Sequence, residues 1–169
     1  MNGKRWSAFA SVGLLLASAL LLSNTKVSAD GIVALANGSG QIEIGTPPAL
    51  RTFTFTAHTD SLGVTSGQTQ GNNRSDGISW HGNITCLNVS GNVATMSGVL
   101  TDVSPASAPF YEPGNYILFQ VVDNGHGGSG APDDISLTYF YSTGSPNPGC
   151  TGQGLFATIP ILHGNVTVH

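Results

Sequence analysis

Lysine disappears from this sequence after Lys26, and beyond that point the only arginines are Arg51 and Arg74. A surface so poor in cations cannot neutralise a run of phosphates, which argues against nucleic acid and anionic lipid as partners. Glutamate is almost as scarce, with Glu43 and Glu112 alone, so the usual formers of exposed helix are missing and helices are not expected. Cysteine is limited to Cys86 and Cys150, and there is no C-x-x-C pair. Five histidines, His58, His81, His126, His163 and His169, show neither H-x-H nor H-E-x-x-H spacing, so a ready-made zinc site is not signalled. The G-x-S-x-G elbow of nucleophilic hydrolases is also missing.

The one long hydrophobic run lies at the N-terminus. Met1-Asn2-Gly3-Lys4-Arg5 is positive, residues 8–22 are apolar, and Val27-Ser28-Ala29 follows a short polar stretch. This order predicts a signal peptide over residues 1–29, cleavage near Ala29, and a single secreted domain over 30–169, extracellular or periplasmic. The run is shorter than the ~20 residues that cross a bilayer as a helix, and no second one follows, so no membrane span is expected in the mature chain. Nine acids against two arginines leave those 140 residues with a formal net charge of −7, a balance that suits solubility outside the cell.

Glycine makes up 21 of the 140 residues, about twice its usual ~7% share. Together with nine prolines it cuts the chain into short runs rich in Val, Ile, Thr, Phe and Tyr. The expected fold is all-β: a small antiparallel β-barrel or β-sandwich of about eight strands, mostly meander hairpins. In residues 52–58, Phe53, Phe55 and Ala57 alternate with threonines and His58, which places the first three on a core face. Ile78, Trp80, Gly82, Ile84 and Cys86 share a second inward phase. Gly91-Asn92 signals a hairpin between that strand and Val93–Thr101. Residues 116–122 and 135–141 read as a further pair, too apolar for a sheet edge, and residues 165–169 as a strand closing against 32–36 or 40–44. An exported chain meets oxidising conditions, so a Cys86–Cys150 disulfide is expected, pinning the Ser/Gly/Pro loop 142–154 to a central strand.

Several segments carry a resemblance. Gly40-Gln41-Ile42, Arg51-Thr52-Phe53-Thr54-Phe55, Ile84-Thr85-Cys86-Leu87-Asn88-Val89-Ser90-Gly91-Asn92-Val93-Ala94, Val122-Asp123-Asn124-Gly125 and Gly164-Asn165-Val166-Thr167-Val168-His169 together resemble the post-COAP domain family of secreted bacterial proteins. The resemblance implies a bacterial exported β domain and carries over no catalytic residue. Residues 127–131 and the 142–154 loop are insertions relative to the tightest hairpin version of that pattern.

The densest polar stretch runs from Asp123 to Asp134. Asp123, Asn124, Asp133 and Asp134 offer oxygen donors of the kind calcium takes. Gly125 stands where an EF-hand needs an oxygen ligand and no glutamate closes the loop, so the favoured alternative is a hairpin loop with a turn at Asn124-Gly125 and Asp133 capping backbone donors. No cofactor other than that calcium is indicated, and no catalytic residue is assigned. The reading that follows is a non-catalytic secreted β domain acting at or outside the cell envelope by binding a ligand or a surface component. Two alternatives stand beside it: a small exported enzyme using dispersed His and Asp residues in a concave pocket, and a calcium-stabilised module.

Overall fold

Side chains that alternate in polarity can bury only one side of an extended chain, and the middle of this sequence follows that rule strand after strand. The computed structural model describes residues 31–106, 111–125, 130–152, 154 and 156–169. The expected leader and its cleavage point lie outside the described residues, as does His126. Ten strands are formed: β1 (Ile32–Ile44), β2 (Ala49–Asp60), β3 (Thr65–Asn73), β4 (Ile78–Ser90), β5 (Val93–Ser104), β6 (Tyr116–Val122), β7 (Asp134–Ser136), β8 (Tyr139–Tyr141), β9 (Thr158–Pro160) and β10 (His163–Val168). They build one antiparallel sheet in the order β10-β1-β2-β3-β4-β5-β6-β7-β9, with β8 also on β6. The expected all-β meander is therefore present, as one curled sheet rather than two stacked ones.

The curl is visible in the core. Phe55 on β2 meets Phe119 on β6 edge to face, with ring centroids 5.6 Å apart, although three strands separate them along the sheet. Ala36, Ala57, Ile84, Met96, Val121, Ile135 and Val166 complete a single buried cluster drawn from seven strands. Breaks in the β4–β5 register between His81 and Gly82 and between Ile84 and Cys86 add local twist of the kind that bends a sheet. The second break also moves Cys86 off the inward phase that alternation assigns it. Leu87 and Val89 take over the core positions opposite Met96 and Ala94, while Cys86 sits opposite Ser97 on the outer face.

Cys150, Gly154 and Phe156 are tied to that outer face of β4–β6. Cys86 and Cys150 form the expected disulfide. Closing a loop of 64 residues' separation stabilises the fold by about 4 kcal/mol through the entropy of the unfolded chain. Gln120 adds a polar clamp: its Nε2 donates to Thr95 Oγ1 at 2.8 Å, and its Oε1 accepts from the Phe156 backbone N–H at 3.1 Å.

Three elements differ from the sequence expectations. Strand β3, Thr-Ser-Gly-Gln-Thr-Gln-Gly-Asn-Asn, has no hydrophobic residue and gives no periodic signal, yet it lies between β2 and β4. Two of its inward positions, Gly67 and Gly71, leave no room for a side chain: a Cβ at Gly67 would meet the β2 backbone at Thr56 and Ala57. Gly71, opposite Phe53 and Trp80, would bring a Cβ to 2.6 Å from the Trp80 ring. The 135–141 run is split at Leu137–Thr138 into β7 and β8. Although apolar, β8 pairs with β6 alone and forms an edge. The C-terminal strand pairs across both candidate segments of β1, from Ala36↔Val168 to Gln41↔His163. The Gly91-Asn92 hairpin is as expected, with Gly91 at φ 61°, and Trp80 is buried.

Gly71→Ala is expected to lower stability by about 1 to 3 kcal/mol, the usual cost of forcing atoms into a packed interior. Gly31→Ala, which meets open space, should leave the denaturation midpoint unchanged. Equal midpoints for the two variants would contradict the packing of Trp80 on β3.

Candidate functional site

A curled sheet has two edges to satisfy, and here one stretch of chain serves both. Residues 158–160 pair with β7 at one edge, and after Ile161–Leu162 residues 163–168 pair with β1 at the other. The backbone N–H of Ile161 donates to Asp133 O at 2.8 Å and that of Leu162 to Gln41 O at 2.9 Å, so the crossing itself is tied to both sides.

The acidic residues singled out in the sequence are gathered at this seam. Leu35 and His169 exchange both backbone hydrogen bonds, so the alternation of an antiparallel ladder turns the N–H groups of Val166 and Val168 away from β1. Asp133 Oδ2 accepts from Val166 N at 2.8 Å, and Asp123 Oδ2 from Val168 N at 3.0 Å. Their other oxygens are also used: Asp133 Oδ1 accepts from Asn124 N at 2.8 Å and Asp123 Oδ1 from Gly125 N at 2.9 Å. Asn124 Nδ2 reaches Pro132 O at 2.7 Å and Asp134 Oδ2 at 3.3 Å.

All four residues thus come together, with their oxygens directed largely at backbone and amide donors. This is the capping arrangement weighed against calcium. An ion at this place would have to displace hydrogen bonds to four backbone N–H groups, and among the described residues no group of three or more His, Cys, Asp or Glu side chains is arranged to hold a metal.

The four described histidines do not converge. His81 is exposed on the outer face of β4, beside Thr54 and Gln70, while His58 Nε2 lies 3.1 Å from Ser66 Oγ at the edge of the same polar face. His163 and His169 are exposed on or next to β10. Shallow depressions cross this outer face between threonine, glutamine and asparagine side chains of β2, β3 and β4.

The concave feature with the strongest chemistry is at the opposite surface of the sheet, on its inner side. Arg51 at the start of β2 is in register with Ile42 and Asn73, and it shares the inward phase of Phe53, Phe55 and Ala57. It lines a cleft of ≈ 50 Å³ bounded by Phe53, Trp80, Tyr111, Phe140 and the 135–138 segment. The aromatic wall is ordered by its own contacts. Trp80 and Phe140 meet edge to face at 5.7 Å, and Phe140 and Tyr111 are tilted at 4.4 Å.

Arg51 Nε is buried and has no hydrogen-bond partner. Asp76, in the turn after β3, is engaged by Asn73 Nδ2 and, at 3.0 Å, by Ser75 Oγ. No motif in the sequence marks Arg51 as functional. The signal that identifies it is a charge standing two residues before Phe53 in the set that alternation sends inward.

No family model, no curated protein and no solved structure matches this chain.

Asp133→Asn replaces an acceptor with an amide that must turn its own N–H groups towards a donor. It is expected to cost about 1.5 to 3 kcal/mol, the range for a hydrogen bond to a charged group. Because the carboxylates already hold backbone donors, adding calcium or a chelator should leave the Tm of the unmodified chain in place. A calcium-dependent rise would show that an ion displaces those donors.

Proposed function

We propose that this chain is an exported, non-catalytic β domain that holds a ligand in the mouth of its curled sheet and acts at or outside the cell envelope. The observation that carries the reading is the inward Arg51. A guanidinium taken partly out of water with a buried, unpartnered Nε–H is costly, and it stands among aromatic side chains at a concavity, which is the usual composition of a small-molecule site. The N-terminal signal-like segment, the acidic balance of residues 30–169 and the Cys86–Cys150 bridge support a life outside the cytoplasm. The likeness to post-COAP domains is part of the same proposal. Among the described residues the cleft is lined by no His, Asp or Glu, so the alternative of dispersed His and Asp residues acting together draws no support from its geometry.

Expression in a bacterial host tests both halves of the reading. Protein recovered from the periplasm or medium should begin at Asp30. Its amide spectrum, titrated with a mixture of small organic acids, amides and sugars, should shift at Phe53, Trp80 and Phe140. An intact Met1 retained in the cytoplasm would contradict export. Shifts confined to the Thr54, Gln70 and His81 face, or none at all, would contradict the cleft as the binding site.

A further inference from the structure

We infer that the ligand of the Arg51 cleft is a small organic monocarboxylate, gripped side-on by Nε–H and one terminal N–H of the guanidinium, with its apolar body against the aromatic wall. This rests on the reading of the cleft as a binding site and adds the chemistry of what it takes.

Three observations select that class. The first is charge: beyond the leader there are only two strong bases, and the other, Arg74, lies exposed in the β3–β4 turn, outside the cleft lining. One guanidinium balances one negative charge, while a dianion such as phosphate would remain half unpaired in a domain that is already acidic. The second is geometry, because a planar carboxylate matches two parallel N–H donors of arginine, and that match satisfies the buried Nε–H.

The third is size and lining. Each water needs roughly 10–15 Å³ of such space, so ≈ 50 Å³ suits a body of only a few heavy atoms. Phe53, Trp80 and Phe140 offer that body apolar contact, and Thr138 is among the polar residues of the lining. A neutral ligand of the same shape would leave the guanidinium charge unpaired, so discrimination by charge follows from the site rather than from the ligand.

The experiment uses the chain carrying Trp6→Phe, which makes Trp80 the sole tryptophan and a reporter inside the cleft. Trp80 emission is titrated with propionate, with propionamide and with inorganic phosphate, at ionic strength matched with chloride. Propionate is expected to shift the emission with a Kd about ten- to a hundredfold below that of propionamide, the value of a charge-assisted hydrogen bond expressed as affinity. Phosphate should act more weakly than propionate. Arg51→Gln should abolish the difference between acid and amide, and Arg51→Lys, which keeps the charge without the fork, should weaken propionate by about tenfold.

Equal binding of propionate and propionamide would overturn the carboxylate assignment while leaving a ligand-binding cleft in place. Phosphate binding more tightly than propionate would overturn it in favour of an inorganic oxyanion. If none of the three alters Trp80, the carboxylate assignment falls and, with a silent fragment titration, so does the cleft as a site. The acid–amide comparison is made on the Arg51-containing chain, so it stands even where an Arg51 variant fails to fold.

Discussion

Everything in this molecule depends on closing a sheet that would otherwise end in two bare edges. An exposed strand edge presents unpaired N–H and C=O groups and invites another chain to add to it. Here β10 covers the free side of β1, and its own outward N–H groups at Val166 and Val168 are met by the carboxylates of Asp133 and Asp123. Charged acceptors are the strongest hydrogen-bond partners a backbone donor can find. The cluster most suggestive of calcium in the sequence thus performs the work of a missing strand. Asn92, in the β4–β5 turn, grips this corner from the other side: its side chain donates to Asp123 O, and its carbonyl accepts from Asp123 N, both at 2.9 Å.

The cleft is a consequence of the same closure. The sheet joins through β9, β10 and the seam carboxylates, but the wall beside Arg51 is made by the break between β7 and β8 at Leu137–Thr138 rather than by a further strand. A break in pairing leaves room, and the inward phase of β2 places a charge at its edge. Aromatic residues then shield that charge from water on one side, raising the value of any anion that pairs with it. On the outer face the threonines, glutamines and asparagines remain hydrated and neutral. The strongest electrostatic feature of the inner surface is therefore the one the fold half-hides.

Much of this was legible in the residues themselves, because the alternation in 52–58 and the Gly91-Asn92 turn are local signals that tertiary context does not reverse. The disulfide was legible from cysteine count and compartment. What was not legible depended on neighbours. Strand β3 is invisible without its neighbours: Gly71 is small because the Trp80 ring lies over it, and Gly67 because the β2 backbone at Thr56 and Ala57 comes close. Cys86 changed faces through an unpaired residue that no periodicity marks. In 123–134 the capping role of Asp133 was the favoured reading over calcium, but the donors it and Asp123 cap on β10 were not legible, because those N–H groups lie more than thirty residues away in sequence. Arg51 is inconspicuous for a different reason. Its phase was available, but a charge in an apolar phase is ordinarily discounted at the end of a strand.

Amide hydrogen exchange at Val166 and Val168 addresses the closure most directly. Both N–H groups lie on the side of β10 that no strand covers among the described residues, and their hydrogen bonds go to the carboxylates. The closed seam requires exchange at these two amides to be as slow as at Thr167, which faces β1, and to accelerate selectively at Val166 in Asp133→Ala. Rapid exchange at Val166 and Val168 in the unmodified chain, with Thr167 protected, would show an open edge and contradict the account.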